Sequence, residues 1–429
     1  MRNGGLNCLL RPELDQYFQE IAQLTRELGL DIKKMKKHGK GWSVYAFYQA
    51  VMADPPLKMC IEAGLAGIPE GGGLYGCTFE FLCEQLICII TTPPRCRYNS
   101  LDGVPFYTLF VDLLETKGGM GFFLSPVVNE HLKNIFGEYA AMLNSKESLK
   151  WVTDEPNGGW LYENQKPGQS NDEMVKPVQD WVDYSRFQCD TSKPHYGFKS
   201  WMDWFTRKIK PSRNKLPKDD NENMIVSSSD SFPLYYPIAP LPEGRQGPDL
   251  GKNPRFNVKM DTPFWLKDNQ YSLIDMFGGL EMENVRGNAG FINFIQKTFE
   301  GGTVFQSFLN PWCYHRWQAP ISGHIKYSYK LDGTYYLQNP TLSVDIRRDN
   351  YADSQPMLSA VSVRQIYIIE SDNKNIGHVA VIEIGMAEVS SVNSSVKQGE
   401  HIDKGAELGF FAFGGSSYVM VFSNNIKQD

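Results

Sequence analysis

The chain has little that would cross a membrane. Its most apolar stretch, FEFLCEQLICII over residues 79–90, is interrupted by two glutamates and falls short of the roughly 20 apolar residues a spanning helix needs. The opening MRNGGLNCLLRPELDQYF has no secretory apolar core and no Arg/Ser-rich transit character. These absences set an expectation of a soluble, cytoplasmic protein without an integral membrane segment. Excess positive charge is also missing. Lys and Arg number 43 against 49 Asp and Glu, a net charge of -6, which argues against a nucleic-acid partner. The one basic cluster, Lys33, Lys34, Lys36, Lys37 and Lys40, reads as a solvated helix end. Zinc-type cysteine spacing is absent as well. Among the eight cysteines, Cys77, Cys83, Cys88 and Cys96 form no CxxC pair and have no histidine at ligand spacing, so no metal site is expected and reduced core cysteines are.

What remains is ample material for folding. Apolar residues make up 41% of the chain, with 25 Phe, 21 Tyr and 9 Trp, and 429 residues suit two or three domains. Residues 12 to about 145 carry helical periodicity. PELDQYFQEIAQLTRELGL sets Leu14, Phe18, Ile21, Leu24 and Leu28 on one stripe, and WSVYAFYQAVMA, FEFLCEQLICII, PFYTLFVDLLETK and NEHLKNIFGEYAAML repeat the pattern. Beyond a polar stretch at 146–194, with a short helix expected near Val175–Tyr184, the pattern changes to strands. TVFQSFL, HIKYSYKL, TYYLQN, RQIYIIES, HVAVIEIG, ELGFFAF and SYVMVF are short, β-branched or aromatic, and closed by Gly, Asn or Asp. The expected fold class is α+β: a helical accessory domain at 1–150, a linker at 151–195 and a mainly β domain at 196–429.

Near the end, GAELGFFAFGGSSYVMVF sets Gly414, Gly415, Ser416 and Ser417 between two strands. One reading is a tight surface turn, since Gly supplies positive φ and Ser bonds locally to backbone. The other is chemical. A serine hydroxyl directly after glycine can attack the preceding carbonyl unhindered by a Cβ. The resulting ester breaks by β-elimination, and hydrolysis of the dehydroalanine leaves a pyruvoyl group. That carbonyl forms a Schiff base with an amine and draws off electrons as carbon dioxide leaves.

Six ordered blocks carry a resemblance that bears on the choice. They are YGFKSWMDWFTRKIKP, SSSDS around Asp230, DNQYSLIDMFGG, FLNPWCYHRWQAPISGHI, GMAEVSSV and VKQGEHIDKGAELGFFAFGGSS. Across about 225 residues they resemble the phosphatidylserine decarboxylase family. GGSS, the HRW triplet, the ESDNKNIG turn and the long helical extension resemble its soluble fungal branch, that of L-tryptophan decarboxylase. The resemblance implies cleavage between Gly415 and Ser416, a covalent pyruvoyl group made from Ser416, no pyridoxal phosphate, and a heterodimer of the two cleavage products. It implies a free, aromatic amino acid as the small-molecule substrate, with phosphatidylserine as the alternative.

Site residues follow from the same blocks. Asp230 matches the acid that orients a histidine base during self-cleavage, or it is a solvated turn residue. His315 matches the histidine of the decarboxylation step, or it is a satisfied core residue. Arg316 either grips a substrate carboxylate or pairs with a structural acid, and Trp317 and Gln318 complete the candidate substrate-binding set. Three departures stand out. Gln318 occupies the place of the family's second histidine and cannot accept a proton near neutral pH, which leaves His315 or His324 as substitutes. SSSDS lacks the family's closing glycine. Only 14 residues, 416 to 429, follow Gly415, and a fragment so short is expected to have few contacts holding it after cleavage. A pyruvoyl-dependent carboxy-lyase and a non-catalytic relative that never matures are therefore the two function classes.

Overall fold

The computed structural model describes residues 11–35, 39–96, 103–156, 158–162, 183–212, 216–233, 264–266, 269–278, 289–309, 314–337, 357–386, 391–413, 416–424 and 426. Among these residues seven α-helices come first: α1 (Arg11–Glu27), α2 (Trp42–Ala53), α3 (Pro55–Ala66), α4 (Phe79–Ile90), α5 (Pro105–Leu114), α6 (Lys117–Leu124) and α7 (Pro126–Leu143). Their starts have local causes. Asp54, Thr78 and Thr116 accept backbone N–H bonds from Leu57, Phe81 and Gly119, and proline opens α3, α5 and α7. The stripe expected on α1 buries Phe18 and Ile21. Leu28 instead lies exposed beyond the helix end, where Gly29 takes φ +58. Cys83, Cys88 and Cys96 are buried and free, as core cysteines should be.

Among the described residues, two short helices, α8 (Trp201–Phe205) and α9 (Leu273–Met276), and the longer α10 (Ala289–Phe299) accompany twelve strands. These are β1 (Phe232–Pro233), β2 (Phe264–Leu266), β3 (Asn269–Tyr271), β4 (Thr303–Leu309), β5 (Arg316–Gln318), β6 (Gly323–Leu331), β7 (Arg364–Ser371), β8 (His378–Gly385), β9 (Val392–Ser394), β10 (His401–Ile402), β11 (Glu407–Phe411) and β12 (Ser416–Phe422). An antiparallel seven-stranded sheet runs β1-β4-β12-β8-β7-β6-β10, and a three-stranded sheet runs β5-β11-β9. The fold is α+β, with the helices α1 to α7 preceding the sheets. Of the expected strand TYYLQN, the described residues 334–337 form none. Thr334 makes a single bridge to Ser362, while Tyr335 and Tyr336 turn their rings onto Phe136 and Phe110.

Alternation along β7, β8 and β12 sorts the core. Ile366, Ile368, Ala380, Ile382, Val419 and Val421 join the cluster that includes the helices. Tyr367, Ile369, Val379, Val381, Tyr418 and Met420 face a second cluster, with Trp317, Leu408 and Phe411 of the small sheet. Both faces of the central strands are thus covered, which is why RQIYIIES and HVAVIEIG read as continuous apolar runs. The helical segment and the large sheet share one core, and buried Asn129 on α7 accepts from Tyr335 N beyond β6 and donates to Phe123 O. Parts of the expected linker are packed too, burying Trp160, Leu161, Tyr184 and Phe187. Most of the helix expected near Val175–Tyr184 lies outside the described residues; Tyr184–Arg186 form a single 3₁₀ turn.

Candidate active site

Ser416 is the first residue of β12, the strand that pairs with β4 on one side and β8 on the other. It lies opposite Leu309 and Gly385 in the two ladders and is wholly buried, with no hydrogen-bond partner for its Oγ. Gly414 and Gly415 lie outside the described residues, so the bond expected to break is seen from its serine side only. A surface turn is excluded at Ser416. The short C-terminus also has a different standing from the one expected. Seven of its residues form β12 and are held by ladders on both edges, so a fragment beginning at Ser416 keeps a place in the middle of the sheet.

The face on which Ser416 lies also carries Tyr418, Ser307 and Glu383, by the two-residue period of each strand. Over it runs the SSSDS segment. Ser227 Oγ lies 2.6 Å from Tyr418 Oη, Ser307 Oγ donates to Ser231 Oγ at 2.6 Å, and Ser228 Oγ donates to Glu383 Oε1 at 2.8 Å. Glu383 is fully buried, and its Oε2 has no hydrogen-bond partner. Burial pushes its carboxyl well above the usual range, with the Ser228 bond opposing weakly. Burial likewise raises the Tyr418 phenol. Residue type in an apolar run was the only trace of Glu383 in the sequence: a lone acid inside HVAVIEIG.

Gln318 closes the site from the edge of β5. Its backbone N donates to Ser228 O at 2.7 Å, its side-chain Nε2 donates to Ser227 O at 3.0 Å, and its carbonyl accepts from Ser228 Oγ at 3.1 Å. The single Ser228 hydroxyl proton is thus shared between the Gln318 carbonyl and Glu383 Oε1. Asp230 turns elsewhere: its carboxylate faces Arg186 at 3.6 Å and is about a third exposed. His315 is buried, stacked on Phe205 at 4.4 Å and edge-on to Phe411, while its carbonyl accepts from Phe411 N. Phe205 also meets Phe413, two residues before Gly415, so the His315 ring belongs to the aromatic wall approaching the Gly-Gly pair.

Of the two roles left open for Arg316, a pairing with an acid of the chain is seen. Its guanidinium donates to both carboxylate oxygens of Glu407 at 2.9 Å and to Thr206 O at 2.7 and 2.9 Å. Trp317 is buried between Phe411 and Tyr367. His324 is exposed on β6, three strands from β12, about 14 Å at the usual strand spacing. It is too distant to serve as the serine's base. A cleft of about 450 Å³ lined by Met52, Ile61, Leu65, Tyr75 and Cys77 belongs to the helical part and includes none of these groups. Among the described residues no helix is long and apolar enough to cross a membrane.

Comparison with known proteins gives this geometry a family. The phosphatidylserine decarboxylase model matches residues 201–429, and a second phosphatidylserine decarboxylase model matches residues 42–167. Decarboxylase iboD of Amanita muscaria is 33% identical over 330 residues, 75% of this chain and 84% of the relative. L-tryptophan decarboxylase of Psilocybe cubensis is 32% identical over 361 residues, 82% of this chain and 74% of the relative. The phosphatidylserine decarboxylase proenzyme of Fusobacterium nucleatum is 25% identical over 293 residues, 68% and 79% of the two chains. The helical segment and the sheets are therefore both family features. The chain belongs to the phosphatidylserine decarboxylase family and is a carboxy-lyase.

Proposed function

We propose that the protein is a pyruvoyl-dependent amino-acid decarboxylase that cleaves itself between Gly415 and Ser416. The observation that carries this reading is the placement of Ser416. A buried serine with an unpartnered hydroxyl follows two glycines at the mouth of a central strand, where a carbonyl would later be fixed by the ladders of β12. The pyruvoyl group supplies the electron sink when formed. This chain's residues supply the setting. Phe205, Phe411 and Phe413 make the approach to the Gly-Gly pair apolar and exclude water, and His315 lies in that wall as the proton-carrying group for the substrate step. Asp230, salt-bridged to Arg186, orders the serine segment that bonds to Tyr418, Ser307 and Glu383 on the face carrying Ser416.

The substrate we infer is a free aromatic amino acid. Supporting it are the aromatic wall and the similarity to proteins named L-tryptophan decarboxylase. The rival reading, a relative that never matures, draws on Gln318. Borohydride reduction in the presence of tryptophan tests the proposal: the 416–429 fragment should gain the mass of the reduced substrate adduct, and pyridoxal phosphate should not be needed. An unlabelled fragment, or a rate that depends on added pyridoxal phosphate, would remove it.

A further inference from the structure

We propose that Glu383 is the group that takes and returns the proton during self-cleavage, standing in for the imidazole absent at Gln318. The inference rests on Ser416 being the pyruvoyl precursor. Glu383 pairs across the ladder with Tyr418, and Ser416 with Gly385, so the two side chains lie on one face as diagonal neighbours of adjacent strands. Such diagonal neighbours lie about 7–8 Å apart with their Cβ atoms somewhat closer, a gap that a glutamate and a serine can span. Each offers a buried polar atom without a partner, Ser416 Oγ and Glu383 Oε2. The other carboxyl oxygen, Oε1, is anchored by Ser228, itself bonded to the Gln318 carbonyl, which fixes the acid beside the position of the missing base.

The step balances without an outside reagent until the last stage. Ionised Glu383 takes the Oγ proton as Oγ bonds to the Gly415 carbonyl carbon. The Gly415–Ser416 C–N bond breaks, and the proton passes to the departing nitrogen, leaving an ester and a free amine. Glu383 next removes the Ser416 Cα proton while the Cβ–Oγ bond breaks, releasing the Gly415 carboxylate and a dehydroalanine. Water then replaces the imine nitrogen of its tautomer, releasing ammonia and forming the pyruvoyl group. A carboxyl with a raised pKa is a stronger base once ionised. Its small ionised fraction costs rate, but each chain needs to cleave only once.

Gln in place of Glu383 keeps the size and can still accept from Ser228, but it cannot take a proton. Freshly translated chains should be followed by gel and mass for wild type, Glu383→Gln, Glu383→Asp and Ser416→Ala. Cleavage in Glu383→Gln is expected to slow by about 10²–10⁴-fold, with partial recovery in Glu383→Asp. The wild-type rate should rise with pH from 5 to 8.5. Glu383 faces Tyr418 on β12 and the non-titrating Gln365 on β7, with Tyr367 its diagonal neighbour; both phenols are raised by burial, so neither supplies that rise. Wild-type speed in Glu383→Gln overturns the inference while leaving Ser416 as precursor. If Glu383→Gln does not fold, a flat wild-type pH profile overturns it instead. Absence of cleavage in wild type overturns both.

A separate observation carries a second site. On adjacent strands His324 and His401 are directly paired, their rings 4.9 Å apart, and His401 Nε2 lies 2.9 Å from Asp372 Oδ2. One ligand atom from each of the three falls within 4.8 Å of the others, and Asp372 is fixed by its N–H bond to Ser322 O. Two imidazoles and a carboxylate with open positions for water suit a zinc-type divalent ion, so we infer that this surface binds one and ties β10 to β6. Titration of tag-free protein with zinc chloride, and with cobalt chloride followed by absorbance, tests it. One site is expected, weakened at least about 10-fold in His401→Ala. Equal binding in the variant, or none in wild type, overturns it.

Discussion

Glu383 makes a measurable demand on stability before any chemistry is considered. Its folded-state pKa is raised by burial, while in the unfolded chain it titrates near the ordinary glutamate value. Below that value both states are protonated and the cost is absent. As pH rises toward the folded pKa, the unfolded chain releases the proton and the folded chain keeps it, so stability falls. The slope reaches about 1.4 kcal/mol per pH unit for one proton. Glu383→Gln removes that slope and retains the bond from Ser228. Urea unfolding should compare Ser416→Ala with the double variant Ser416→Ala, Glu383→Gln between pH 5 and 8, both uncleaved so that one chain unfolds in each case. The single variant should lose up to about 1.4 kcal/mol per unit relative to the double. Parallel pH profiles would refute the raised carboxyl pKa of Glu383.

Other perturbations separate the remaining roles. Ser416→Ala should give a folded, uncleaved protein whose stability stays within about 1 kcal/mol, because the change removes a buried hydroxyl that has no partner; a strongly destabilised variant would contradict the placement of Oγ. Gln318→His should accelerate cleavage by restoring an imidazole beside Ser227 and Ser228, and an unchanged time course would show that this edge of β5 does not serve proton transfer. Arg316→Ala should cost about 2–3 kcal/mol in urea unfolding, since it strands the Thr206 carbonyl and leaves Glu407, a third exposed, to solvent. A loss of amino-acid affinity with stability unchanged would instead give Arg316 a substrate role.

The sequence showed most of the architecture because helix and strand periods are local. The helical run to about 145 and six of the seven expected strands lie where patterning put them. TYYLQN failed because its tyrosines are used by α5 and α7, a tertiary demand that strand propensity does not register. GGSS was ambiguous for a related reason. Gly-Gly-Ser reads as a turn anywhere, and only the pairing of β12 with β4 and β8 reveals a buried central strand. Family motifs pointed to Ser416, Asp230 and His315 but gave no distances, so the turning of Asp230 toward Arg186 could not be foreseen. Glu383 was hidden in an apolar strand that carries no motif. The pairing of His324 with His401, 77 positions apart, depends on strand register alone.

Intact mass of the purified protein tests the central claim most directly. Self-cleavage should yield two chains, the smaller being residues 416–429 with a pyruvoyl group in place of its first residue and therefore closed to N-terminal sequencing. A single chain of 48.7 kDa, unchanged after prolonged incubation at neutral pH, would contradict it and leave a decarboxylase fold that never acquires its carbonyl.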